Sequence, residues 1–166
     1  GRNMVVAEVL SAGKCVDQFI DQWLPERSLG DASTRGEQDR YAEFERLAAS
    51  SPAESEGLIF LPWLNGSGPP TNDSTIRGGF MNWSQRTTRA HAARAVLEGI
   101  AYNLRWALGA VERFTGHRRP ELRFIGGGAQ SELWCQTLAD VVDRPIVQVA
   151  EPNQAIARGA ALSAFV

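Results

Sequence analysis

The sequence predicts an α/β fold, a mixed sheet flanked by helices, and three features predict it. The second half of the chain reads helix, strand, glycine-rich turn, helix, strand, helix, an alternation that argues for a sheet with helices on its faces. Its longest helical segment carries a stripe of small and aliphatic residues suited to close packing on a sheet. Short β-branched or apolar runs bounded by Gly, Pro or Asn supply the strands. The 166 residues fit one domain with a sizeable core, and no internal repeat, low-complexity tract or second domain stands out.

Met4-Val5-Val6-Ala7-Glu8-Val9-Leu10 is short, apolar and β-branched, and reads as a first strand. Ser11-Ala12-Gly13 punctuates it. Residues 14–23 then carry Cys15, Val16, Phe19, Ile20 and Trp23 at spacings of three and four, one face of a helix that Pro25 ends. Residues 24–34 are polar and read as a loop. Tyr41, Phe44, Leu47 and Ala48 predict a helix over 41–49, closed by Ser50-Ser51-Pro52. Leu58-Ile59-Phe60-Leu61 is a strand stopped by Pro62. From Trp63 to Ile76 the chain is dense in Gly, Pro, Asn, Ser and Thr, which favours a packed covering loop over a catalytic one.

The clearest helix spans 88–114, with Ala92, Ala95, Val96, Gly99, Ile100, Asn103, Leu104, Ala107 and Leu108 on one stripe and Gly116 at its C-cap. Leu122-Arg123-Phe124-Ile125 alternates and runs into Gly126-Gly127-Gly128-Ala129. A helix over 131–142 faces Leu133, Trp134, Leu138 and Val141 inward, and Asp143-Arg144-Pro145 stops it. Ile146-Val147-Gln148-Val149 is another strand, and 154–165 a final small-residue helix.

Composition narrows the function. Hydrophobic residues make up 43% and charged residues 22%, which is ordinary globular composition. Seventeen Lys and Arg against nineteen Asp and Glu give a net charge of −2 with no basic run, unlike a nucleic-acid reader or a basic membrane-surface helix. No apolar run approaches the roughly 18 residues that span a bilayer, and Gly1-Arg2-Asn3-Met4 opens no signal-peptide core. A cytoplasmic location is expected. Cys15 and Cys135 read as reduced, buried thiols rather than a disulfide framework.

The sharpest local feature is Phe124-Ile125-Gly126-Gly127-Gly128-Ala129-Gln130-Ser131. Three glycines between strand and helix let backbone approach a ligand closely, the following helix offers free N–H groups, and ligands of open α/β sheets sit beyond the carboxyl ends of strands. A tight connection with no ligand fits the same residues equally well. The turn lacks the Gly-Lys-Ser/Thr ending of a Walker A loop and the spacing of a dinucleotide fingerprint. His91 and His117 have no metal-ligand spacing, and His91 reads as a first-turn helix residue. Gly66-Ser67-Gly68 completes no nucleophile elbow. Asp73, Asp140 and Asp143 read as cap or turn residues.

Taken in order, five segments resemble the C-terminal portion of the FGGY carbohydrate kinases, nearest the xylulokinase and glycerol kinase branches. They are Gly57-Leu58-Ile59-Phe60-Leu61-Pro62-Trp63-Leu64-Asn65-Gly66; Asp73 on to Arg77-Gly78; Arg89 to Tyr102, with Leu97-Glu98-Gly99-Ile100-Ala101; the glycine turn with Trp134 and Leu138-Ala139-Asp140; and Ala155 to Leu162 with Arg158-Gly159-Ala160-Ala161. The resemblance covers nearly the whole chain.

It implies a ribonuclease H-like, actin-like fold and ATP-dependent phosphoryl transfer, with Mg²⁺, to a sugar or polyol such as the pentulose xylulose. It implies adenosine held by Gly127, Gly128, Ala129 and Glu132, and a second nucleotide-side element in Gly13 and Asp17, four apart and so on one helix face. The family's sugar site, catalytic aspartate and early phosphate loops precede the strand at Met4. Residues 1–166 are therefore expected to be the nucleotide-binding domain without its N-terminal partner, inactive alone because phosphoryl transfer needs a base and an oriented nucleophile. Uncovered sheet or cleft surface on such a domain would let two copies pair.

Three departures stand out: Asn82-Trp83 where the family commonly has Gly-Leu, Gly66-Ser67-Gly68-Pro69-Pro70 where xylulokinase-like members often have Gly-Glu-Arg, and Asp17 where one branch has glutamine. The alternatives to a kinase fragment are a non-catalytic nucleotide-binding or regulatory module and a structural domain without ligand.

Overall fold

The structure, a computed structural model, describes residues 5–7, 9, 11–24 and 37–163. Two compact units divide the chain, Gly1–His117 and Arg118–Val166, where length alone predicts one domain. The break falls in the polar stretch that follows the longest helix.

In the first unit, helix α1 (Ala12–Trp23) buries Cys15, Val16, Phe19 and Ile20, the stripe expected from their spacing. Helix α2 (Glu37–Ala49) begins earlier than its apolar period shows and buries Phe44 and Ala48. Phe44 meets Phe19 edge to face at 5.5 Å. Val5–Ala7 and Val9, the described part of the expected first strand, pair with no strand, and the rest of Met4–Leu10 and most of the 24–34 loop lie outside the described residues. A strand needs a ladder partner, and apolar alternation alone does not supply one.

Strand β1 (Ile59–Leu61) pairs antiparallel with β2 (Gly79–Met81), Phe60 opposite Phe80. Their rings lie 4.9 Å apart, and Phe80 carries the cluster on to Trp23 and Trp83. Between the strands, residues 63–76 fold on themselves. Trp63 O accepts from Gly66 N and Gly78 N, Ser67 N donates to Asp73 O, and Ser67 Oγ lies 2.9 Å from Thr71 Oγ1. Asp73 is a turn residue: Thr75 donates to it from hydroxyl and backbone, which holds its carboxyl below the ordinary range.

Helix α3 (Arg89–Thr115) organises this unit. Thr88 caps it in a reciprocal pair with His91, as Thr88 Oγ1 accepts from His91 N and His91 Nδ1 accepts from Thr88 N. Gly116, left-handed at φ 69°, closes it. Every residue from Ala95 to Ala101 is buried, whereas Tyr102, Trp106 and Phe114 are exposed. Gly99 lies directly against β1: a Cβ there would stand 2.2 Å from Phe60 O.

Buried beside Gly99 is Glu98. Its Oε1 accepts from Arg94 Nε at 2.8 Å and from Glu54 N at 2.9 Å, and its Oε2 from Ser55 Oγ at 2.8 Å. The last two bonds hold a tight turn over Ala53–Gly57 in which Glu54, Ser55 and Glu56 are all left-handed, at φ 67°, 50° and 54°. Each such residue costs about 1–2 kcal/mol unless it is glycine. Glu54 is exposed and bonds Glu98 only through its backbone. Glu54→Gly is therefore expected to stabilise the chain by up to about 1 kcal/mol after the unfolded-state entropy of glycine is subtracted. A urea midpoint at or below that of wild type would contradict this.

The second unit is a parallel βαβ unit. Strand β3 (Leu122–Phe124) pairs with β4 (Ile146–Gln148), Arg123 opposite Val147, and α4 (Glu132–Val142) makes the crossover that a parallel pair needs. Ser131 caps α4, its Oγ accepting from Trp134 N at 3.0 Å, and Asp143 ends it left-handed. Cys135, Thr137, Leu138, Val141 and Val142 are buried. Trp134, expected inward, is only half-buried and meets Phe124 edge to face. Helix α5 (Ala155–Ser163) follows a short turn at Pro152–Gln154 and leaves Ile156 and Leu162 exposed.

The expected mixed sheet is thus found, among the described residues, as two separate two-stranded ladders, one in each unit. All four strands are only three residues long, and each pair is closed within its own unit. Cys15 and Cys135 are buried thiols outside any disulfide, and each donates to a backbone carbonyl, of Pro62 and Ala129 respectively. Burial foremost, with the nearby Asp17 charge, pushes the Cys15 thiol up to about 12. It stays protonated and inert.

Candidate functional site

The glycine turn begins where β3 ends. Gly126 has φ 88° and ψ −177°, a conformation open to glycine alone. Its N–H donates to Pro152 O at 3.0 Å, which ties the turn to the segment following β4. The chain then makes one 3₁₀ turn over Gly127–Gln130, stabilised by Ala129 N to Gly126 O and Ser131 N to Gly128 O. The turns after β3 and β4 thus share one edge, beyond the carboxyl ends of both strands. That edge is where parallel sheets receive ligands.

The three glycines do different things. Gly126 is required by its backbone angle. Gly128 is required by packing, because a Cβ there would lie 2.9 Å from the Trp134 ring and 3.1 Å from Phe124. Gly127 is required by neither. It is exposed, its φ is not left-handed, and only Asn153 Oδ1, 3.9 Å away, would meet an added Cβ. Space above backbone with no structural need for it is what a bound ligand would use.

Ala129 stands apart from the other candidates. It is 1% exposed, its N–H is held by Gly126, and its carbonyl accepts from Gln148 Nε2 at 2.8 Å. Its polar backbone serves the turn. Glu132 is exposed at the first position of α4, where a carboxylate also favours the helix dipole. As the first N–H groups of the 3₁₀ turn, those of Gly127 and Gly128 have no acceptor within it.

Gly13 and Asp17 belong to the other unit, on α1. Gly13 is exposed in the first turn, and a Cβ there would meet nothing within 4 Å, so it too is a glycine without a packing reason. Asp17 is half-buried and accepts a hydrogen bond from the Tyr41 hydroxyl on α2. That partner gives Asp17 a role between two helices that its spacing from Gly13 did not show.

Asn153 went unnoticed in the sequence. It lies in Pro152–Gln154 and faces the open glycine. Its only sequence signal is position, a polar residue just past the second strand of a parallel pair. Among the described residues no group of three His, Cys, Asp or Glu could hold a metal, and no helix is long and apolar enough to cross a membrane.

Comparison with known proteins adds the following. The profile of the FGGY family of carbohydrate kinases, C-terminal domain, matches residues 2–166. A xylulose kinase of Staphylococcus epidermidis is 37% identical over 129 residues, 78% of this chain and 26% of that protein. A glycerol kinase of Koribacter versatilis is 41% identical over 106 residues, 64% of this chain and 21% of that protein. Among solved structures, a ligand-bound xylulose kinase from Lactobacillus acidophilus superposes with a TM-score of 0.73 at 29% identity, covering 88% of this chain and 27% of its own. A gluconate kinase from the same organism gives 0.72 at 30% identity, with the same coverage. The chain spans about a quarter of the length of these relatives.

Proposed function

The chain belongs to the FGGY family of carbohydrate kinases, as its C-terminal domain, and from this premise we propose that it is the nucleotide-binding part of an ATP-dependent sugar or polyol kinase. Its fold on this reading is ribonuclease H-like. The observation that carries the reading is Gly127, a glycine in the family's adenosine turn that neither backbone angle nor packing demands. A purine or ribose lying on that bare backbone accounts for it. Glu132 stands at the same edge; Gly13 and Asp17, on α1 of the other unit, are proposed as nucleotide-side residues on the family likeness alone.

Pentuloses such as xylulose are the first choice of acceptor, because the Staphylococcus epidermidis and Lactobacillus acidophilus relatives are named xylulose kinases. Mg²⁺ would neutralise charge on the transferred phosphates. This chain's own part is to hold the adenosine end. On this reading the base and the acceptor site are not supplied by this chain, so sugar-dependent ATP turnover by these 166 residues alone would contradict the proposal.

The test is a thermal melt with and without millimolar ADP or ATP and Mg²⁺. Ligand at 100 times its dissociation constant stabilises a folded protein by about 2.7 kcal/mol. Gly127→Val is expected to abolish the ligand-dependent shift while the ligand-free midpoint stays near wild type. Gly128 is unsuitable for this purpose, because its side chain would collide with Trp134 whether or not nucleotide binds. The use of Gly126 and Gly128 by the fold itself favours a second reading, a tight turn with no ligand. That reading requires that nucleotide not move the melt and that Gly127→Val be silent.

A further inference from the structure

We infer that Asn153 reads the base: its carboxamide pairs with the N6–N7 edge of an adenine ring lying on Gly127. The inference rests on the nucleotide reading of the glycine turn and goes beyond it, by naming the residue that selects the base.

Three observations carry it. Asn153 Oδ1 is the one described heavy atom, outside Gly127's chain neighbours, within 4 Å of where the Gly127 Cβ would be, at 3.9 Å. It therefore borders the open space directly. Its segment is fixed: Pro152 O accepts from Gly126 N, Glu151 O accepts from Gln154 N at 2.9 Å, and the Arg158 guanidinium donates to the carbonyls of Ala150 and Glu151. Lastly, the Asn153 side chain is exposed and, among the described residues, its carboxamide has no hydrogen-bond partner. An exposed amide on a tethered backbone segment beside an open glycine has its donor and its acceptor both available.

The chemistry then selects the purine. A carboxamide offers one acceptor, Oδ1, beside one donor group, Nδ2. Adenine presents the N6 amino donor beside the N7 acceptor, a bidentate match. Guanine presents two acceptors on that edge, O6 and N7, and Asn153 can serve only one of them.

The experiment is titration calorimetry of this chain with ADP and with GDP, for wild type, Asn153→Ala and Gly127→Val. Wild type is expected to prefer ADP to GDP on the order of tenfold. Asn153→Ala should weaken ADP binding by about that factor, leave GDP binding nearly unchanged and so erase the preference, with an unaltered melting midpoint because the residue is exposed. An unchanged ADP-to-GDP ratio in Asn153→Ala, while Gly127→Val still abolishes binding, would overturn the inference and leave the nucleotide site standing. No binding of either nucleotide to wild type would overturn the nucleotide reading and this inference with it.

Discussion

Gly99→Ala is expected to destabilise the first unit by about 3 kcal/mol, although Gly→Ala in a helix interior ordinarily stabilises by about 1 kcal/mol. The sign reverses because α3 lies on β1 with backbone against backbone. An added methyl would stand 2.2 Å from Phe60 O, 2.9 Å from Phe60 C and 3.1 Å from Phe60 Cβ, and two of these are main-chain atoms that cannot swing aside. The helix must retreat, and the retreat disturbs Leu97, Glu98 and Ile100, all buried around it. Against a total stability of about 5–15 kcal/mol such a loss is large. Gly99→Val should prevent folding. Urea unfolding followed by circular dichroism measures both, and a Gly99→Ala midpoint above that of wild type would mean the helix does not approach the strand this closely.

The second large effect is expected at Glu98. Its carboxylate satisfies Arg94 Nε, Glu54 N and Ser55 Oγ at once, in a site where the Glu98 side chain is 6% and the Arg94 side chain 11% exposed. Glu98→Ala leaves a guanidinium without its counter-charge, a buried hydroxyl without its acceptor and a left-handed turn without its clamp. Removing one partner of a buried pair costs about 3–5 kcal/mol. Glu98→Gln keeps the shape and one acceptor, so it should cost clearly less. Equal losses for the two substitutions would show that the charge, rather than the acceptor geometry, carries the effect. A loss below about 1 kcal/mol in Glu98→Ala would mean that the turn at 53–57 holds itself.

Much of this architecture was legible in the sequence. The helices announced themselves by spacing, α3 with both ends, because Thr88 and Gly116 are residues whose chemistry fits a cap. Strand β1 and the βαβ order of the second unit were readable from β-branched runs between Gly and Pro. Strand β2 was not legible from its own residues. Gly-Phe-Met is too short to alternate, and its place is set by pairing with β1. The left-handed turn was hidden because Glu, Ser and Glu are not residues that favour positive φ, and a carboxylate some forty positions later holds them there. In the sequence Glu98 stands only as part of the Leu97-Glu98-Gly99-Ile100-Ala101 segment, with no structural role assigned to it. An acidic residue four positions after Arg94, inside a run that is otherwise buried, was the available signal.

The candidate site was located by its motif but not resolved by it. Three successive glycines look alike in a sequence. Only the backbone angle at Gly126 and the ring packed over Gly128 separate them from Gly127, whose glycine the fold does not require. Ala129 shows the opposite case, a motif residue whose polar atoms are already engaged within the turn.

The unequal burial along α3 has a consequence for how the molecule opens. From Ala95 to Ala101 its side chains are enclosed, and from Tyr102 to Thr115 they are mostly partly or fully exposed. Amide protons in the enclosed turns are released to solvent only when the whole unit comes apart, whereas those in the later turns exchange through fraying from the Gly116 end. One unbroken helix thus spans two cooperative regimes. Its first half is expected to be the slowest-exchanging part of the unit and its second half to open on its own, which amide hydrogen exchange would read residue by residue.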